Sequence, residues 1–349
     1  MLTTATAPIP AANAPSHTAV AADRLRVRLQ QVHAEIALEI ADPRLDPQQR
    51  ALIGEFFARQ LGRRAGLFAD PAAIALVIAA AEGQDGVESS LRLAAGAGLY
   101  YLALRIFDDV HDEELVGLAA ELGPAVTSNA ALALYTIACD LLLSAVDEAP
   151  AAARRGLRRA LLDHSLIAAG AQHRDLIARA PEDLGALLLQ ARQKSAVFAL
   201  ICECAAHSAG ADAARVAGYR AIGEASATMR QLANDIRDIF GKGLQSDDLE
   251  NRRWTLPVAA LLEVGDVDTC GRFHALVDRL PDPGALATIR RLMVECGAIH
   301  RLAALMEGER RRIHAIAGEM DRDDGPFAVY LEFVDAMAAE LYRRPASRP

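Results

Sequence analysis

The chain is poor in the residues from which sheets and stapled folds are built. Aromatics make up only 5% of its 349 residues. No sustained alternation of apolar and polar residues reads as a half-buried strand. Five cysteines, Cys139, Cys202, Cys204, Cys270 and Cys296, give neither an even disulfide framework nor paired CxxC zinc spacing, so buried reduced thiols are expected. Positive charge is scarce as well. Thirty-seven Lys and Arg against 46 Asp and Glu leave a formal charge of −9, which argues against general affinity for nucleic acid or anionic lipid. Arg, Glu, Asp or Gln interrupts each apolar run, so no membrane insertion is expected. The opening text, MLTTATAPIPAANAPSHTAVAAD, lacks a basic start and an unbroken apolar core. It predicts a disordered leader over residues 1–21 and a cytoplasmic protein rather than a signal peptide.

What is present reads as helix. Ala and Leu dominate a 52% hydrophobic composition, and long Ala/Leu/Arg/Glu stretches favour helix over strand. Leu25, Leu29, Val32 and Ile36 share one face of a helix over 22–40. DPRLDP at 42–47 breaks the chain, and Asp70-Pro71 reads as a helix start. Helices are predicted over 47–61, 89–112, 124–145, 151–180, 184–209, 212–240, from Pro257, over 285–320 with a possible interruption, and over 327–342. No linker or repeat divides them, so a single all-α domain over 22–345 is expected.

Two acidic clusters stand on apolar helices. RIFDDVHDEE (105–114) follows an apolar run and places Asp108, Asp109 and Asp112 at spacings of three and four, on one side of a helix. QLANDIRDIFGKG (231–243) repeats the pattern with Asn234, Asp235 and Asp238, beside Met229, Leu232, Ile236 and Ile239. Unpaired, such acids repel. A hard divalent cation reverses the sign, since Mg²⁺ takes oxygen ligands and keeps positions for substrate phosphates. A lone DDxxD more often marks a solvated face. Two such turns on two buried helices suggest facing walls around metals and a polyphosphate.

At these residues the chain resembles the trans-isoprenyl diphosphate synthase (polyprenyl synthetase) family of class I isoprenoid enzymes. DDVHD (108–112) resembles the first aspartate-rich motif. AGAQHRDL (169–176) resembles a GQxxDL segment at Gln172 and Asp175. QKSAVF (193–198) resembles the KT(G) segment at Lys194, and RQLANDIRD (230–238) resembles FQxxDDxxD at Gln231, Asp235 and Asp238. KGLQSDDLENRRWTLPVAAL resembles the loop that follows, at Lys242, Asp248, Leu249 and Thr255-Leu256-Pro257. The ordered set spans roughly 61–317.

The resemblance implies a helical bundle around a central cavity, three Mg²⁺, an allylic diphosphate substrate and a homodimer. It implies metal ligation by Asp108, Asp109, Asp112, Asp235 and Asp238, with Asn234 in the place of an Asp. Lys194, Lys242, Gln231 and Gln172 would meet the diphosphate, with Arg230 able to reach it or to pair with an acid. Tyr100, Tyr101, Ala103, Leu104, Phe107 and Phe198 are candidate cavity lining, although core packing accounts for any single aromatic among them.

The chain departs from the family where a second substrate, isopentenyl diphosphate, would bind. Its GGKRxRP segment is reduced to Arg63 and Arg64 in LGRRAGL, and Tyr101 replaces a His. No Arg or Lys occurs in EELVGLAAELGPAVTSN (113–129), where an Arg pair belongs. These losses favour ionisation of an allylic diphosphate without isopentenyl diphosphate, as in a terpene synthase. The alternative is head-to-tail chain elongation. Prenyl transfer to another acceptor, or a non-catalytic subunit of a hetero-oligomeric synthase, are further readings.

Overall fold

Among the described residues the apolar spacing resolves into fifteen α-helices and a short 3-10 helix at Leu67–Ala69, with no strand. The computed structural model describes residues 16–62, 67–145, 151–177, 183–241, 243, 245–323 and 325–340. In chain order the helices are α1 (His17–Ile40), α2 (Pro47–Gly62), α3 (Ala72–Ala81), α4 (Glu88–His111), α5 (Leu118–Ser144), α6 (Ala151–Ile177), α7 (Leu184–Lys194) and α8 (Val197–Ser208). Then come α9 (Ala213–Gly241), α10 (Asp247–Glu250), α11 (Leu256–Val264), α12 (Val267–Val277), α13 (Pro283–Glu295), α14 (Ala298–Glu319) and α15 (Gly325–Glu340).

Several boundaries differ from expectation for local reasons. The Ser16 hydroxyl accepts from the Ala19 N–H at 3.2 Å and caps α1, so residues 17–21 are helical rather than leader. Residues 1–15 lie outside the described set. The helix expected over 184–209 is divided at Ser195-Ala196, leaving Lys194 on the last turn of α7. Gly297, at φ +89°, separates α13 from α14, because that backbone region suits a residue without Cβ. The helix α12 was not anticipated, although Asp266 supplies its cap by accepting from the Thr269 N–H at 2.8 Å. The helix α5 begins before Pro124, with a non-helical residue, Gly123, inside it. By length and composition alone it is apolar enough to cross a membrane. The expectation that Arg, Glu, Asp or Gln interrupts every apolar run is corrected over 122–139, which contains none of them.

The inner helices are apolar on all sides, which is what burial from every direction requires. Ala72 to Ala79 of α3 and Val197 to Cys202 of α8 are buried throughout. The helix α4 packs along α3 and α5, and α9 packs along α8 and α14. The helices α8 and α9 approach tightly at Gly223, where a Cβ would stand 2.5 Å from the Phe198 carbonyl oxygen. Glycine permits that approach. It brings the start of α8 against the helix that carries the second acidic cluster.

Candidate active site

The first acids end α4, and Asp112 is its C-cap. Asp108 and Asp112 are four apart and share a face. Lys194 stands 3.4 Å from Asp108 and donates to Asp175 of α6 at 2.8 Å. Gln172, one turn before Asp175, donates to Asp108 at 3.2 Å, and Gln190 holds the other Asp175 oxygen at 2.9 Å. Burial alone pulls the Lys194 ammonium pKa down, but Asp108 and Asp175 reverse this and raise it. Lys194 is therefore charged at any working pH.

The second wall is α9. Asp235 and Asp238 are buried, at 5% and 6% exposure. Gln231 donates to Asp235 at 2.6 Å, and the Leu256 amide donates to its other oxygen at 3.0 Å. The TLP segment thus has a structural role: it starts α11 and aims a backbone N–H at this carboxylate. Burial pushes the Asp235 pKa up to about 7, against the lowering effect of the Leu256 and Gln231 hydrogen bonds. Asp238 accepts from the Ser246 hydroxyl and from the Asp248 amide at 3.4 Å. Lys194 acts electrostatically on Asp108, Asp112 and Asp175 as well as on Asp235.

Arg253, which the sequence reading left unassigned, completes the arrangement. It lies 3.1 Å from Asp112 and 3.9 Å from Asp248. Its place within NRRWTLP, two residues before Thr255, was the available signal. Asp112 is shifted up by burial and then by Asp108, with Arg253 and Lys194 opposing. The ends of α4, α7 and α9 all present C-terminal carbonyl dipoles here, which adds to the pull on cations.

Other expected residues sit elsewhere. Asp109 faces Arg105 at 3.7 Å rather than Lys194. Asn234 is exposed, and its carbonyl accepts from Arg237 at 3.2 Å. Arg230 donates to the Phe68 carbonyl at 2.6 Å and lies over Phe198 and Phe333, at 4.6 and 5.3 Å from their ring centroids. Structural pairing is thus its role here, since a guanidinium stacks on aromatic faces. Tyr101 meets Phe198 at 5.7 Å between ring centroids, while Ala103 is fully buried and Leu104 half-buried. Tyr100 turns about 100° away from Tyr101, as helix geometry requires. Its hydroxyl pairs with Ser165 at 2.6 Å, and its ring packs against Tyr135. Phe107 stacks on exposed His111. Lys242, Arg63 and Arg64 lie outside the described residues.

The donor set is all oxygen, which suits a hard divalent cation and not a soft one. Among the described residues no three acid, His or Cys side chains are grouped so as to hold one ion by themselves.

No protein-family model matches the sequence, and no curated protein matches it. The structure, by contrast, is similar over nearly its whole length to solved structures. A polyprenyl synthase from Caulobacter crescentus, solved with calcium and isoprenyl diphosphate, is 20% identical, with a TM-score of 0.75 covering 93% of this chain and 98% of that one. A decaprenyl diphosphate synthase from Rhodobacter capsulatus is 18% identical, with a TM-score of 0.75 over 94% and 100% of the two chains. A geranylgeranyl pyrophosphate synthetase from Pyrococcus horikoshii is 15% identical, with a TM-score of 0.74 over 93% and 99%. The chain has the all-α isoprenyl diphosphate synthase fold.

Proposed function

We propose that this chain is a divergent enzyme of the trans-isoprenyl diphosphate synthase family that ionises an allylic prenyl diphosphate. The observation that carries the reading is that Lys194 stands between Asp108 of α4 and Asp175 of α6 while Arg253 stands against Asp112, beside the buried Asp235 and Asp238 of α9. Divalent cations bound by Asp108, Asp112 and Asp235 would supply electrostatic stabilisation of a diphosphate leaving group. Lys194 and Arg253 hold positive charge at the same place, where a departing anion needs it. Tyr101 and Phe198 provide an apolar wall for the hydrocarbon.

Two fates of the ionised chain are open to test. The neighbours are named as prenyl synthases, which supports head-to-tail elongation better than the cyclisation or elimination favoured by the sequence. The second reading retains one specific observation, that no Arg or Lys occurs between residues 113 and 129. A homodimer also belongs to the proposal: Leu132 of α5 and Leu162 and Leu166 of α6 are large, apolar and more than half exposed.

The test uses purified protein, Mg²⁺ and geranyl, farnesyl and geranylgeranyl diphosphates, each with and without isopentenyl diphosphate. Longer diphosphates that require isopentenyl diphosphate identify elongation. Hydrocarbon or alcohol products formed without it identify the second reading. Absence of Mg²⁺-dependent turnover with all three substrates refutes the proposal.

A further inference from the structure

The helix α7 carries Lys194 on its last turn, yet only Leu184, Gln190 and Ala191 of its eleven residues are buried. So short a helix depends on tertiary contacts to hold its place, and with little apolar surface those contacts are polar. Gln190 and Lys194 both engage Asp175 of α6, and Gln193 accepts from Arg174 of the same helix. Arg192 turns the other way. It stands two residues before Lys194, about 200° around the helix, and reaches α9 and α14. Its guanidinium donates to the Thr228 hydroxyl oxygen of α9 at 3.4 Å and to Glu309 of α14 at 2.8 Å.

Glu309 belongs to the charged run GERRRIH at 308–314, but it is no surface acid, since its side chain is 15% exposed. Arg312 lies 3.5 Å from its second oxygen, which is buried and accepts no hydrogen bond from the described residues. A carboxylate so placed is costly unless cations face it. Thr228 is fully buried and precedes Asp235 by about two turns of α9. Lys194 therefore meets the first acidic cluster, while Arg192, on the same turn, is fastened to the helix of the second.

We propose that Arg192, clamped by Glu309 and Thr228, is a positioning residue that sets Lys194 between the two acidic walls. The assignment rests on the ionising function proposed above and adds the device that aims its ammonium. Arg192 acts through Lys194, because its own guanidinium is engaged by α9 and α14. A planar fork suits that task, holding a hydroxyl and a carboxylate at fixed angles where an ammonium would hold one of them.

Calorimetric titration with pyrophosphate in saturating Mg²⁺ tests it in wild type, Arg192→Met, Arg192→Lys, Glu309→Gln, Lys194→Met and the Arg192→Met/Lys194→Met double variant. Arg192→Met should raise Kd for pyrophosphate about 10-fold, the scale seen when an outer partner of a binding residue is removed. In the Lys194→Met background the same change should raise Kd by less than about 2-fold, because the group it positions is gone. Arg192→Lys should recover part of the loss, and Glu309→Gln should show a smaller rise with the same dependence on Lys194. Equal losses in both backgrounds, which a purely structural role gives, overturn the assignment, as does an unchanged Kd in Arg192→Met. Circular dichroism at the titration temperature reports folding. Where Arg192→Met is unfolded, Glu309→Gln is carried through the same cycle and decides. A wild type that binds no pyrophosphate with Mg²⁺ overturns the clamp and the ionising function together. One that binds it but releases none from any allylic diphosphate refutes the function alone, and the cycle still decides the clamp.

Discussion

Asp235 gives the sharpest quantitative test, because its perturbation is a matter of stability as well as activity. The carboxyl is 5% exposed, and burial raises its pKa from 3.8 to about 7. A raised carboxyl keeps its proton in the folded state where the unfolded chain has lost it. Its contribution to stability is therefore intact below the unfolded pKa and lost as pH climbs from about 4 to about 7. A shift from 3.8 to about 7 at 1.36 kcal/mol per unit gives a loss on the order of 4 kcal/mol, roughly two-thirds of it between pH 5 and pH 8. Asp235→Asn keeps the shape and the Leu256 hydrogen bond but cannot ionise. Urea unfolding in EDTA, with wild type and Asp235→Asn compared at several pH values from 5 to 8, measures the difference directly. Wild type should lose ground to the variant as pH rises, until the variant is the more stable at pH 8. Adding Mg²⁺ with pyrophosphate should shrink the gap, since bound cations favour the carboxylate. A wild-type-minus-variant difference that is flat across the range, with EDTA present, refutes the reasoning.

Three further outcomes follow from the same contacts. Asp108→Ala and Asp235→Ala should each abolish pyrophosphate release from allylic diphosphates in a pyrophosphate-release assay. Arg253→Ala should lower kcat/KM for the allylic diphosphate by about 100-fold, the scale of one leaving-group contact, with Arg253→Lys retaining more. Gly223→Ala would place a Cβ 2.5 Å from the Phe198 carbonyl oxygen and 2.7 Å from the Ala199 Cα. It should destabilise the fold by about 1–3 kcal/mol in chemical denaturation, through displacement of α8 from α9.

The all-α class and both acidic clusters were legible because each has a local signature: helical periodicity, and carboxylates at spacings of three and four. Other features depend on where a helix starts, stops or rotates. Tyr100 and Tyr101 look equivalent in the text, yet one turns to Ser165 and the other to Phe198. The break at Ser195 carries no Pro or Gly, so α7 and α8 read as one helix. Arg230 offered an acid or a phosphate as its natural partner, and the fold supplied two rings and a carbonyl instead.

The cations also explain how so acidic a site stays folded. Asp108, Asp112, Asp175, Asp235 and Asp248 would repel one another at the negative ends of α4, α7 and α9. Lys194 and Arg253 offset that repulsion by standing among them. In the proposed reaction the same two side chains face the leaving diphosphate. Removing either would therefore have two separable effects, a stability loss seen without substrate and a kinetic loss seen at saturation. For Lys194→Met the first effect should diminish as pH falls and the acids protonate, while the kinetic defect should persist at any pH where the enzyme turns over. A stability loss that is independent of pH would mean that Lys194 supports the fold through packing of its stem rather than through its charge.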